Sequence, residues 1–131
     1  MPIELKILAL SAVLLLFYIV AATQSKTAQY GPRWNMGPRD DAVPAPSALT
    51  GRLIRAQANF LETYPIAIIA LLGVVIANKT SASTALGGWI WLGARVVYWP
   101  LYAAGVPLIR TIAWAVSIVG LAMVIWPLLA G

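Results

Sequence analysis

The chain contains no cysteine and no histidine. The first absence excludes disulfides, thiolate metal centres and any sulfur nucleophile borne by the protein itself. The second removes the commonest metal ligand and the usual general base near neutral pH. Carboxylates are scarce as well: only four acidic residues occur in 131, and two of them are the neighbours Asp40 and Asp41. No metal site is expected from so thin a donor set. Charged residues of both signs make up 10% of the chain, against about 25% in an average soluble domain. The formal charge is +5, yet no Lys/Arg run accompanies it. That distribution argues against nucleic acid and for membrane lipid headgroups or an anionic small ligand as partners.

What the chain has in abundance is apolar sequence, at 61% hydrophobic residues and a mean hydropathy of +0.84. This is the composition of an integral membrane protein, and the length suits a single domain over residues 1–131 with no separate soluble module. Leu5–Ala22 is nearly unbroken apolar sequence, long enough for a bilayer core of about 30 Å. A secretory signal ending at Val20-Ala21-Ala22 is the alternative reading. More positive charge follows the segment than precedes it, which favours a retained helix, placed at residues 3–23.

Residues 24–47 carry Gly31-Pro32, Gly37-Pro38, Pro44 and Pro46, so a long loop is expected there, of a length typical of lids and binding loops. Within it, Arg39-Asp40-Asp41 reads most simply as a solvated charge cluster. Further helices are expected at 48–78, 82–104 and 108–129, with Pro65 kinking the second and Pro100 interrupting the third near its end. Small residues at Gly87, Gly88, Ala113, Ser117 and Gly120 suit close helix contact in lipid. The fold class is therefore an all-α bundle of four transmembrane helices. Basic residues concentrate at the ends bearing the first and third connections, so the positive-inside rule puts the 24–47 loop in the cytoplasm and both termini outside.

One stretch stands apart, Arg52-Leu-Ile-Arg55-Ala-Gln-Ala-Asn59-Phe-Leu-Glu62-Thr-Tyr-Pro65. At 100° per residue, Arg52, Arg55, Asn59 and Glu62 share an arc of roughly 80°, leading directly into an apolar run. A polar stripe entering a membrane is expensive without partners or a ligand. Arg95 and Arg110 sit in or beside the third and fourth spans, with Trp91, Arg95, Tyr98 and Tyr102 on one helical face. The guanidiniums of Arg55, Arg95 and Arg110, set against the single carboxylate of Glu62, leave an excess of two positive charges. Phospholipid headgroups could balance it, and so could a ligand carrying more than one anionic group.

The run from Arg55 to Pro65 resembles the second-helix signature of the MAPEG family, the membrane-associated proteins in eicosanoid and glutathione metabolism. Ala94-Arg95-Val-Val-Tyr98 with Tyr102 is similar to the family's third-helix pattern, and Tyr102–Trp114 looks like its bacterial branch. The resemblance covers essentially the whole chain. It implies a left-handed four-helix bundle assembled as a homotrimer, in a bacterial cytoplasmic membrane, with binding sites between subunits. By the same resemblance, glutathione serves as co-substrate, held by Arg55, Asn59, Glu62, Arg95, Tyr98 and Tyr102. Arg110 is the nearest counterpart of the family's thiolate-stabilising arginine. In three places the chain departs from that pattern: Thr63 stands where some glutathione-using members have tyrosine, Arg110 is about one residue out of register, and the connection Tyr102–Pro107 is less basic than theirs.

The residues suit that chemistry. Glutathione has two carboxylates and an amine, which complement an arginine-rich site with one carboxylate. A chain without Cys or His must borrow its nucleophile, and a thiol of pKa near 8.5 is only a few per cent ionised at pH 7 unless a cation helps. The expected function is a glutathione-dependent transferase or peroxidase acting on a lipophilic small molecule from the bilayer. A non-catalytic membrane protein binding an anionic lipid or another thiol is the alternative.

Overall fold

The computed structural model describes residues 1–131. They form five helices and no strand: α1 (Ile3–Tyr30), α2 (Pro32–Met36), α3 (Ala48–Ile76), α4 (Ala82–Ala103) and α5 (Pro107–Ala130). Local chemistry sets most of the boundaries. Ser47 caps α3 by accepting from the Thr50 amide, and Ser81 opens α4 in a capping box with Thr84. Gly105, at φ +75°, makes the tight turn that lets Pro107 occupy the first position of α5.

Two expectations need correction. The first helix does not end at residue 23, and the connection after it is not a loop over 24–47. No breaker occurs between Ala22 and Tyr30, so α1 continues until Gly31, at φ +96°, donates to the Thr27 carbonyl. The hydropathy drop at Gln24 marks where the helix leaves the apolar layer, not where it stops. With α2 also helical, irregular backbone in this connection is confined to Gly31 and residues 37–47. The Gln29 side chain accepts from the Ser47 amide and donates to the Ala45 carbonyl, while the Tyr30 hydroxyl donates to Pro44. The second correction is that Pro100 does not interrupt its helix, since α4 runs on to Ala103. Proline there removes one hydrogen bond, to the carbonyl of Val96, where both residues are exposed. α3 likewise continues through Pro65.

The long helices alternate in direction. At one end Glu4 of α1 accepts a 2.6 Å hydrogen bond from Thr84 of α4. At the other end Ser25 of α1 meets Thr50 of α3 at 2.6 Å, and Arg52 donates to the Ala103 carbonyl at the close of α4. The bundle interior is apolar and aromatic, with Ile7, Tyr18, Phe60, Leu71, Val74, Trp91, Leu121 and Val124 all buried. Phe60 is edge-on to Tyr18 at 4.8 Å and to Trp91 at 6.1 Å. Several buried hydroxyls and charges are tied across helices, as a low-dielectric interior favours. The Tyr18 hydroxyl donates to the Arg95 carbonyl, and Ser11 bonds Tyr64.

The outer surface is the reverse of a soluble protein's. Val13, Ile69 and Val119 are each more than half exposed, on three different helices. α1, α3 and α5 are long and apolar enough to cross a membrane. α4 is less apolar, but its hydrogen bonds to Glu4 and Arg52 show that it runs the length of the same bundle. Exposed apolar faces of this extent need hydrocarbon around them. The chain is an all-α integral membrane protein.

Candidate functional site

A cleft of about 400 Å³ opens between α3, α4 and α5, toward the end of the bundle that carries the α2 segment and the α4–α5 turn. α3 contributes Arg55, Ala58, Asn59 and Glu62; α4 contributes Tyr98 and Tyr102; α5 contributes Arg110, Thr111 and Trp114. The spacing explains the convergence. Residues 55, 59 and 62 are one helical stripe, as are 98 and 102, and as are 110 and 114. Ala58, lacking a long side chain, leaves room between Arg55 and Glu62.

The electrostatics of this cleft are one-sided. Side-chain hydrogen bonds from arginines inside the bundle belong to Arg52 and Arg95, not to Arg55 or Arg110. Glu4 is the carboxylate that takes a side-chain hydrogen bond; Glu62 takes none. Arg110 lies in the first turn of α5, which holds no acidic residue. A cation at that position adds to the positive end of the helix dipole instead of opposing it. Its guanidinium sits 4.5 Å from the centre of the Tyr102 ring, and Tyr102 in turn lies 5.5 Å from Tyr98. Free donors on three helices, with one carboxylate among them, can receive an anionic ligand that also bears a cationic group.

Of the seven residues expected from sequence, six line this cleft: Arg55, Asn59, Glu62, Tyr98, Tyr102 and Arg110. Arg95 does not. It is fully buried one layer beneath, where it donates to Asn59 Oδ1 and to Thr63 Oγ1, each at 2.7 Å. Thr63, at the departure from the tyrosine pattern, faces this internal arginine and not the cleft. Arg52, part of the same polar stripe, is diverted to the end of α4. Sequence reasoning missed Ala58, Thr111 and Trp114. The signal for Trp114 was present, one turn beyond Arg110, but tryptophans near span ends are usually read as interface anchors.

A sequence model of the MAPEG family matches residues 5–130. No curated protein and no solved structure matches the chain. The matched region includes all four long helices but for the first two residues of α1, and with that extent the chain belongs to the MAPEG family.

Proposed function

We propose that this protein is a glutathione-dependent membrane transferase or peroxidase acting on a lipophilic substrate that arrives from the bilayer. The observation that carries the reading is the cleft in which Arg55, Arg110 and Glu62 converge with no side-chain hydrogen bond inside the chain. Arg55 and Asn59 donate to the peptide's carboxylate and carbonyl oxygens, and Glu62 accepts from its ammonium group. Tyr98 and Tyr102 flank the thiol end, with Arg110 beside it. The guanidinium favours the thiolate, which would otherwise be about 3% of the thiol at pH 7 for a pKa of 8.5. In conjugation, the thiolate sulfur forms a bond to an electrophilic carbon as that carbon's leaving group departs, and the thiol proton passes to water. In peroxide reduction, two glutathione molecules become the disulfide while the peroxide becomes alcohol and water. Four spans, a homotrimer with the cleft facing a neighbouring subunit, and a cytoplasmic α1–α3 connection in a bacterial inner membrane complete the proposal.

Conjugation of a chromogenic electrophile by the purified protein tests it, with Arg55→Ala and Arg110→Ala as comparisons. Loss of most activity in both variants is expected. Equal rates in all three proteins overturn the enzyme assignment and favour a binding protein for an anionic lipid or another thiol. Native mass measurement in mild detergent tests the trimer separately.

A further inference from the structure

Arg95 is the most buried charge in the protein, with no exposed surface, and no carboxylate bonds it. Its two terminal nitrogens go to neutral oxygens, Asn59 Oδ1 and Thr63 Oγ1, both at 2.7 Å, and its Nε has no partner. The guanidinium is held between two rings, with centroids 5.4 Å away at Phe60 and 5.0 Å away at Tyr98. Thr63 is fixed in turn, since its hydroxyl donates back to the Phe60 carbonyl. A group so enclosed cannot swing out to meet a ligand. What it does reach is Asn59, which lines the cleft.

A guanidinium has five donors and no acceptor, so the carboxamide of Asn59 must turn its oxygen toward Arg95 and its NH2 group the other way. The charge on the donor polarises the amide and strengthens that NH2 as a donor. We infer that Arg95 is a positioning residue: it locks the Asn59 carboxamide so that this point of the cleft wall only donates, selecting a ligand that presents an oxygen acceptor there. The inference rests on the cleft being the ligand site, as proposed above, but does not require the ligand to be glutathione. It makes Glu62 the sole carboxylate on a wall otherwise supplied with donors.

Asn59→Asp is the decisive variant, because it preserves shape and still accepts from Arg95 while replacing the outward NH2 with an anionic oxygen. The purified protein is melted with and without millimolar glutathione, and in parallel with sulfate as an oxyanion probe. The expected result is an Asn59→Asp melting temperature at or above wild type, with affinity for either probe lowered at least tenfold. Wild-type affinity in Asn59→Asp overturns the inference. Arg95→Gln and Asn59→Ala, alone and combined, supply a second readout. If Arg95 acts through Asn59, the double variant binds as Asn59→Ala does; independent, multiplying losses indicate a purely structural arginine and overturn it. A wild-type response to sulfate without one to glutathione sinks the proposed function while the Asn59→Asp comparison with sulfate still decides this inference. No wild-type response to either probe overturns both.

Discussion

Replacing Gly120 with alanine would place a methyl group 2.6 Å from both the Gly87 carbonyl oxygen and the Trp91 amide nitrogen. The reverse change, Gly87→Ala, would bring Cβ to 2.7 Å from the Gly120 carbonyl oxygen and from Met123 Cβ. Ordinary van der Waals approach begins near 3.4 Å, so α4 and α5 must separate by roughly 0.8 Å at their crossing. The obstructing atoms are chiefly backbone, which cannot rotate away. Overpacking of this kind costs typically about 1–3 kcal/mol. An expected destabilisation of about 1–3 kcal/mol follows for either substitution. The double variant should lose much less than the sum, because the first methyl already forces the separation that the second needs. Gly93→Ala is the control, since nothing lies within 4 Å of a Cβ there; by helix propensity it should be neutral or stabilising by up to about 1 kcal/mol. Thermal unfolding in mild detergent, followed by near-ultraviolet circular dichroism, measures all four variants against wild type. Gly120→Ala melting with wild type, or strictly additive losses in the double variant, would refute the close-approach account. The cleft should respond too, because α4 carries Tyr98 and Tyr102 while α5 carries Arg110, and splaying the pair moves its two walls apart.

Three further outcomes are expected. Thr84→Val removes the donor to the buried Glu4 carboxylate and half of the capping box of α4; a loss of about 2–3 kcal/mol should appear in the same melting assay. Tyr18→Phe deletes the hydroxyl bond to the Arg95 carbonyl but keeps the ring against Phe60, so about 1 kcal/mol should go, with the cleft intact. If Arg110 stabilises the thiolate, Arg110→Ala should reduce conjugation at pH 7 by up to about 30-fold, the full range of ionisation open to a thiol of pKa 8.5. That deficit should shrink toward pH 9.5, where the thiol ionises unaided; a constant deficit across the pH range would point to weakened binding instead.

The parts of this molecule that could be read along the chain are those fixed by neighbours in sequence. Apolar run length announced the membrane helices, and the 3.6-residue repeat put Arg55, Asn59 and Glu62 on one stripe and Tyr98 with Tyr102 on another, where they lie. Gly87 and Gly120 were recognisable as contact residues, though not as each other's partner. The continuation of α1 past Ala22 escapes a hydropathy reading, because hydropathy reports the surroundings of a helix. Its end depends instead on Gly31 and the backbone bond it makes to Thr27.

Composition alone determined that this is a membrane-embedded helical protein with no cysteine or histidine chemistry of its own, and periodicity selected the residues from which a site could be built. Tertiary structure decided which of those residues share a wall. Arg52, Arg55 and Arg95 are the same residue type on predicted polar faces, yet one closes α4, one lines the cleft and one lies beneath it holding Asn59. The difference arises because a side chain's role follows from what the facing helix offers at that depth: a free carbonyl at Ala103, an open cleft at Arg55, or an amide and a hydroxyl between two aromatic rings at Arg95. Spacing along one helix holds no record of its neighbour's register, and that register is settled by close approaches such as Gly87 against Gly120.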